Sequence, residues 1–155
     1  MLTFPDEMTV ATPRFSFDVP QGWEVTHVDH VLFCLIRQRE DSFSPNLVVS
    51  HDRRVASITS EEIMAEMDAY VGSLQNVKVT ARKGGKDKNG QEWDVMEYVY
   101  DHQVGQLACC LAVLTSWHDG VADSYQFQAS AAGPSAADDL KDVHQVITSV
   151  RLLED

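Results

Sequence analysis

The stretch from Gln91 to Ala131, QEWDVMEYVYDHQVGQLACCLAVLTSWHDGVADSYQFQASA, decides the fold of this chain. Its middle part, Leu107 to Trp117, is apolar almost throughout, which is typical of an interior strand covered on both faces. Strand-like segments flank it, and turn-rich residues at 101–105 and 118–120 separate the three segments. We therefore predict a three-stranded antiparallel meander.

The register of the second hairpin depends on the length of its loop. A three-residue loop, His118-Asp119-Gly120, places Leu111 opposite Phe127. Val113 then faces Tyr125, so large side chains meet large ones. A two-residue loop instead pairs each large side chain with a polar one. Because a slip of one residue moves every side chain to the other face of the sheet, the loop length decides both faces. We predict the three-residue loop.

This register gives the sheet two unequal faces. The bulky face is predicted to be the main core, and truncating one of its large side chains is expected to cost roughly 2–5 kcal/mol; it carries Leu111, Val113, Tyr125 and Phe127. The other face has short side chains at Ala108, Cys110 and Ala112. Around them lie five larger side chains: Met96, Tyr98, Tyr100, Gln126 and Gln128.

Aromatic rings beside carboxamides are more typical of binding surfaces than of cores. We therefore predict those five residues as candidate partner-binding residues. The alternative is that the second helix covers this face, with Gln126 and Gln128 at its rim.

Two helices are predicted outside the meander. Thr59 and Glu62 fit a capping box at the start of the first helix. Its apolar face repeats at helical spacing and consists of Ile63, Met67, Tyr70, Val71 and Leu74. Ser135 is predicted as the N-cap of the second helix, directly after Gly133-Pro134. The apolar face of that helix consists of Leu140, Val143, Val146, Ile147 and Val150.

Shorter strands are predicted at 14–19, 23–28, 31–37, 46–51 and 77–83. Strands follow one another too often for βαβ units, so we predict an α+β fold. Its antiparallel sheet has about six to seven strands and packs with two main helices. Residues 1–155 are predicted as one domain, with its core at 14–153 and a loose N-terminal lead-in at 1–13.

The composition is that of an ordinary but strongly acidic globular protein. The chain has 155 residues, 44% of them hydrophobic, and 12 basic against 24 acidic residues give a net charge of −12. This charge argues against nucleic acid and anionic membrane surfaces as partners. No segment approaches the roughly 20 apolar residues of a membrane-spanning helix, and no signal peptide is visible at the N-terminus. We expect a cytoplasmic protein without membrane insertion.

The three cysteines are expected to be free thiols. Cys109 and Cys110 are neighbours on a predicted strand and point to opposite faces, so a disulfide between them would be strained. The sequence contains no CxxC motif. Buried reduced cysteines, as in cytosolic proteins, are the simpler interpretation.

The remaining reactive side chains are interpreted as structural. Four Asp/His neighbours fall in or beside predicted turns and lack the helical spacing of zinc enzymes: Asp29-His30, His51-Asp52, Asp101-His102 and His118-Asp119. A GxSxG elbow is also missing. We therefore predict no catalytic, cofactor-binding or metal-ligating residues, and we do not expect an enzyme. Glu97 would face the bulky side, which favours a bulge or an edge position there. His144 is expected to be exposed.

The order of several segments is similar to that of a known fold family. FSFDVPQGW at 15–23 is followed by SPNLVVSHDR at 44–53, TSEEIMAEMDAYVGSL at 59–74 and a closing QVITSVRLLED at 145–155. Over residues 14–153 the chain resembles the PsbP/Mog-like fold, and more narrowly the bacterial LpqN/DcrB-type relatives. The resemblance implies an antiparallel sheet sandwiched by helices, without catalytic residues.

Members of that family are associated with protein binding. They include extrinsic subunits of photosystem II, a Ran-binding protein, and chaperones that hold apolar segments of type VI secretion effectors. Many LpqN-type members are exported lipoproteins, whereas this chain shows neither a signal peptide nor a lipobox cysteine. Function varies across a fold, so any one of these roles is an analogy.

The first functional hypothesis is a cytoplasmic, non-catalytic domain that binds a protein or peptide, as an adaptor or a secretion-effector chaperone. The second is a pocket protein that holds a small apolar ligand between helix and sheet. The third is an accessory subunit domain, with a homodimer as one form. Lys83, Lys86 and Lys88 are interpreted as a solvated hairpin tip rather than an anion site.

Overall fold

The computed structural model describes residues 10–153. Its helices are α1 (Ser60–Gly72) and α2 (Ala136–Ser149). Its strands are β1 (Phe15–Ser16), β2 (Glu24–Thr26), β3 (Phe33–Ile36), β4 (Asn46–Val55), β5 (Lys78–Lys86), β6 (Glu92–His102), β7 (Gly105–His118), β8 (Val121–Ala132) and β9 (Arg151–Leu152).

Seven strands form one antiparallel sheet in the order β2-β3-β4-β8-β7-β6-β5. The apolar strand β7 lies between β6 and β8, which confirms the meander predicted from the sequence. Strands β1 and β9 pair separately through Phe15 and Leu152, a pairing that was not predicted. The predicted α+β architecture, an antiparallel sheet with two main helices, is confirmed.

Each face of the sheet is covered by one helix. On the face that we call the α2 face, Val143 and Val146 of the helix and Val150 directly after it pack onto the sheet. The sheet supplies a continuous apolar layer there that includes Trp93, Cys110, Ala112, Leu114, Tyr125, Phe127 and Ala129. This is the larger of the two cores.

The opposite face, which we call the α1 face, carries a second core. Ile63, Met67 and Val71 of α1 are buried against it. The sheet contributes Met96, Tyr98, Leu107, Cys109, Leu111 and Val113. Both faces of β7 are therefore buried, as its sequence predicts. Neither helix of the described residues is long and apolar enough to cross a membrane.

The predicted three-residue loop between β7 and β8 is wrong. His118 pairs with Val121, and Asp119 and Gly120 alone form the loop. Both loop residues have a positive φ, 48° and 79°. A type I′ turn requires this at both central positions, and its twist matches that of the flanking strands.

The shorter loop changes which side chains share a face. Leu111 lies opposite Gln128 and Val113 opposite Gln126, all on the α1 face. Tyr125 and Phe127 lie on the α2 face instead. The prediction assumed one bulky face and one sparse face. Because a helix covers each face, large residues were needed on both, and their size could not identify the register.

The two predicted helix caps differ in outcome. The Thr59 Oγ1 accepts a hydrogen bond of 3.1 Å from the Glu62 amide, which confirms Thr59 as the N-cap. The Glu62 carboxylate accepts from the Thr59 hydroxyl at 3.2 Å instead of from a backbone amide, so only half of the predicted capping box forms. Ser135 is the N-cap residue of α2, as predicted, but its side chain makes no capping hydrogen bond. Its φ of −91° and ψ of 3° depart from the extended backbone that lets an N-cap side chain reach the following amides.

Candidate functional site

A trough lies between α1 and strands β7 and β8 on the α1 face of the sheet. We call it the α1 trough; its volume is about 230 Å³. It is lined by Arg54, Ile63, Glu66, Met67, Tyr70, Leu111, Val113, Ser124, Gln126 and Gln128. Apolar side chains of β7 therefore lie beside carboxamides of β8 and a charged pair.

The charged pair joins β4 to α1. The Arg54 Nη1 donates to the Glu66 Oε1 at 2.9 Å, and Arg54 Nη2 donates to the second carboxylate oxygen. These hydrogen bonds lower the pKa of Glu66 and keep it ionised at neutral pH. Because the two charges are paired, the trough is bordered by a polar but locally neutral rim.

The two carboxamides of the trough differ in their contacts. The Gln128 Nε2 donates to the Tyr70 hydroxyl at 2.7 Å. Gln128 and Cys109 both lie near the hydroxyl of Tyr98, a buried residue whose pKa burial raises well above its ordinary value. Gln126, on the same face of β8, is only partly buried and makes no side-chain hydrogen bond within residues 10–153. Its donors and acceptor are therefore free to meet a ligand.

All five predicted partner-binding residues lie on the α1 face, but their neighbours differ from those expected. They surround Leu107, Cys109, Leu111 and Val113, because Ala108, Cys110 and Ala112 face the other way. The expectation that the second helix covers this face is also wrong, since the first helix covers it.

The burial of these five residues separates them. Met96 and Tyr98 are 1% and 2% exposed beneath α1, so they belong to the core. Tyr100 is half-buried near the end of β6, where its ring contacts those of Tyr98 and His102. Gln126 and Gln128 alone of the five line the trough.

Arg54 and Glu66 of the trough were not singled out from the sequence, and Tyr70 was predicted only as part of the apolar face of α1. Arg54 lies there because β4 continues to Val55 rather than ending at His51. Glu66 lies one helical turn before Tyr70, a residue of the predicted apolar face of α1. The i, i+4 spacing of Glu66 and Tyr70 was the sequence signal that could have predicted their proximity.

A separate cluster of charged side chains surrounds Asp123, whose side chain is fully buried. Arg53 donates two hydrogen bonds to its oxygens, both 2.9 Å long. The His51 and His118 Nε2 atoms lie 2.7 and 2.5 Å from those oxygens. Burial by itself would raise the pKa of Asp123, but these hydrogen bonds lower it to about 2. A carboxylate of such low basicity is a poor general base and serves as a structural anion.

This cluster changes the interpretation of two Asp/His neighbours. His51 lies in a strand, as predicted, but β4 continues through it to Val55, so the turn expected beside it is wrong. His51 and His118 both bind Asp123, and His118 also lies 3.1 Å from the carboxylate of its sequence neighbour Asp119. Antiparallel pairing brings these groups together across β4, β7 and β8.

The three thiols are free and buried. Cys109 lies on the α1 face and Cys110 on the α2 face, as their adjacent positions predict. Burial raises the pKa of Cys34, Cys109 and Cys110, the last to about 12. Such thiols hold little thiolate at neutral pH and are therefore weak nucleophiles.

A second cavity lies on the α2 face, where the β5–β6 hairpin meets α2; we call it the hairpin cavity. Its volume is about 460 Å³, and Trp93, Val95 and Ile147 supply apolar walls. Lys83, Lys86 and Lys88 stand at its edge and are all exposed, in line with the predicted solvated hairpin tip. Strand β5 extends to Lys86, beyond the predicted end at Lys83.

Glu97 lies neither in a bulge of its own strand nor at an edge of the sheet, the two positions predicted for it. It lies inside β6 and pairs with Cys110 of β7, while the local irregularity is in β5, between Val79 and Ala81. Its carboxylate is hydrogen-bonded to the Nε2 of His144 on α2. His144 is about half exposed, in line with its expected position.

Comparisons with known proteins identify the fold. No protein-family model matches the sequence, and no curated protein matches it. Among solved structures, LpqN from Mycobacterium tuberculosis, described as involved in cell envelope biogenesis, superposes with a TM-score of 0.81 at 9% identity. The alignment covers 96% of this chain and 88% of LpqN. The chain has a PsbP/LpqN-like fold.

The PsbP side of this likeness comes from cyanobacterial PsbP (CyanoP) of Synechocystis sp. PCC 6803. That structure superposes with a TM-score of 0.61 at 15% identity, over 98% of this chain and 99% of the other. A protein of unknown function from Pseudomonas aeruginosa, PA94, also matches, with a TM-score of 0.53 at 9% identity over 86% and 97% of the two chains. At such identities the PsbP/LpqN-like fold is what is shared, and function has to be argued from the site.

Proposed function

We propose that the protein is a non-catalytic, cytoplasmic domain that binds an extended apolar segment of another protein in the α1 trough. The observation that carries this proposal is Gln126, a partly exposed carboxamide without a partner among the described residues, beside an apolar floor. An adaptor or a secretion-effector chaperone would need such a surface.

The trough suits a polypeptide better than a whole small molecule. Small-molecule pockets usually enclose about 300–1,000 Å³, whereas this trough has about 230 Å³. Leu111 and Val113 can accept an apolar side chain. The Gln126 carboxamide can pair with both the N–H and the C=O of an extended backbone, as peptide-binding surfaces do.

One further observation favours binding over catalysis, and another favours a cytoplasmic location. Asp123 is held ionised by Arg53 and two histidines, and the buried thiols have raised pKa values. The three cysteines remain unpaired, which is common in a reducing compartment. The chemistry of these side chains is therefore that of a scaffold.

Site-specific photo-crosslinking in the native host tests the proposal. A photoreactive phenylalanine analogue replaces Gln126 in one variant and Gln106 in a control. Gln106 is an exposed residue of β7 next to the β6–β7 turn, and it lies outside the trough. We expect one discrete adduct with a different protein from position 126, and none from position 106.

Adducts that are absent, or equal at the two positions, would contradict binding in the trough. A crosslink to a second copy of the chain would replace the proposal with a homodimer, as expected of an accessory subunit. The crosslinked peptide, identified by mass spectrometry, should be rich in apolar residues if the segment is of the proposed kind.

The hairpin cavity supports a second candidate function, the binding of a small apolar ligand between helix and sheet. Its volume of about 460 Å³ lies within the usual range for such pockets. Native mass spectrometry of protein from its host should then show a retained small molecule. Replacing the exposed cavity residue Thr148 with Trp should abolish retention, whereas Thr148→Ala should keep it. A chain that carries no added mass would contradict this function.

A further inference from the structure

We propose that Glu97, Cys110 and His144 form a binding site for a divalent transition-metal ion, with Zn²⁺ as the best-matched ion. The site lies on the α2 face and is separate from the α1 trough, so it does not rest on the proposed function. It revises the expectation, drawn from the sequence, that the chain has no metal ligands.

The fold brings three potential ligand atoms together from three elements. Glu97 of β6 and Cys110 of β7 are directly paired across the sheet, so their side chains leave the same face side by side. His144 of α2 lies over them. The carboxylate oxygen, the thiol sulfur and the imidazole nitrogen all lie within 4.8 Å of one another.

The chemistry of this ligand set selects the ion. Thiolate, imidazole and carboxylate are the three side-chain groups that bind Zn²⁺ in proteins. A thiolate disfavours Mg²⁺ and Ca²⁺, which take oxygen ligands. With three protein ligands, the fourth tetrahedral position is left to water.

The distances require a small adjustment. With bonds of about 2.0–2.3 Å, tetrahedral ligand atoms lie about 3.5 Å apart, closer than the 4.8 Å limit of the cluster. The His144 side chain is 49% exposed and the Glu97 side chain 31% exposed, so both can reorient at little cost. Cys110 is fully buried and forms the fixed floor of the site.

The charges balance once a proton is lost. Binding replaces the hydrogen bond between Glu97 and His144 with two metal–ligand bonds, and the proton of that bond moves through solvent to the Nδ1 of the neutral imidazole. The Cys110 thiol releases its proton to solvent as it forms the third bond. The ion's two positive charges are then matched by one carboxylate and one thiolate. The positive charge of Lys83 acts on Cys110 and would repel a bound cation. The Lys83 side chain is exposed, so it can turn away from the ion toward water.

Metal titration of the untagged chain tests the site, because a histidine tag would bind metal itself. Protein stripped with a chelator is dialysed against Zn²⁺, and bound zinc is measured by elemental analysis. We expect one equivalent and a rise in Tm with zinc concentration. The Co²⁺-loaded protein should show a thiolate-to-cobalt charge-transfer band.

The variants assign the ligands. His144→Ala and Glu97→Gln, at partly exposed positions, should each weaken binding by at least about tenfold, and Cys110→Ala should remove the charge-transfer band. Cys109→Ala, on the opposite face, and His102→Ala, an exposed histidine elsewhere, are the matched controls and should bind as the wild type does.

Less than a stoichiometric amount of zinc in the folded wild type would overturn the proposal. So would unchanged affinity in His144→Ala, or a charge-transfer band lost in Cys109→Ala instead of Cys110→Ala. If Cys110→Ala fails to fold, zinc binding by His144→Ala and Glu97→Gln still decides whether the site exists.

Discussion

At the scale of single residues, the two carboxamides of β8 perform different tasks despite identical chemistry. Gln128 donates to the Tyr70 hydroxyl and is a polar neighbour of the buried Tyr98 hydroxyl. The Gln126 side chain makes no hydrogen bond within residues 10–153. We therefore expect Gln128 to contribute mainly to stability and Gln126 to contribute to the proposed binding.

Alanine substitutions should separate these tasks. Gln128→Ala removes the partner of the Tyr70 hydroxyl and a polar neighbour of the buried Tyr98 hydroxyl, which is expected to lower the free energy of unfolding by about 1–3 kcal/mol. Gln126→Ala should change it by less than about 0.5 kcal/mol. Urea denaturation of the two variants measures both values. Equal losses would show that Gln126 is also structural.

At the scale of elements, the β7–β8 turn decides the composition of both sheet faces. Asp119 and Gly120 both adopt a positive φ, so the turn has two residues and the register follows from it. A backbone preference within two residues thus outweighed the matching of side-chain sizes along two whole strands. The Asp-Gly pair was visible in the sequence as a hairpin signal of this type.

The turn can be tested by adding one methyl group. In Gly120→Ala the new Cβ meets no atom within 4 Å, so the cost comes from the backbone φ of 79°. We expect a loss of about 1–2 kcal/mol in the free energy of unfolding. Gly72→Ala is the matched control, because its Cβ is equally unhindered and its φ is ordinary.

Gly72 is the last residue of α1, where alanine is the better helix former. The control should therefore gain stability, by up to about 1 kcal/mol. Thermal and chemical denaturation report both variants. A loss in Gly72→Ala as large as that in Gly120→Ala would point to a general sensitivity of the chain rather than to the turn.

At the scale of the whole molecule, Asp123 ties distant parts of the chain together. Its carboxylate on β8 binds side chains from β4 and β7. Arg53 in turn donates to the Val10 carbonyl at 2.7 Å, so the segment before β1 is attached to the same cluster. A group with this many partners makes the stability of the fold depend on pH.

The sign of that dependence follows from two pKa values. Hydrogen bonds lower the pKa of Asp123 to about 2, so its contribution is present above about 4, the ordinary value of an aspartate, and is lost as pH falls through 2. The pKa of His118 is raised by Asp119 and then by Asp123. Its contribution is present below about 6.5 and is lost as pH rises through the folded pKa. We expect the greatest stability from these groups between about pH 4 and 6.5.

Urea unfolding across a pH series measures this profile. Asp123→Asn should flatten both sides of it, since it removes the shared partner. Asp119→Asn should weaken only the alkaline side, because Asp119 is exposed and contacts His118 but not the Arg53 pair. An acid side that persists in Asp123→Asn would assign the acid sensitivity to another carboxylate.

Much of the architecture was predictable because it depends on local patterns. The continuous apolar run of β7 predicted a strand buried on both faces, and the Thr59 cap with its apolar stripe predicted α1. The likeness in segment order predicted the PsbP/LpqN-like fold. Each of these signals is contained in a few neighbouring residues or in their order along the chain.

The sites depended on tertiary structure for a physical reason. Met96 and Tyr98 look like surface aromatic and sulfur-containing groups until α1 covers them, and coverage is a property of helix placement rather than of the strand. The Asp123 cluster and the Glu97–Cys110–His144 group each draw side chains from three separate elements. The sequence by itself determined which strands and helices form. The tertiary structure decided which polar groups meet, because contacts between distant residues exist only after the sheet is assembled. The register set by the β7–β8 turn and the positions of the two helices fixed those contacts.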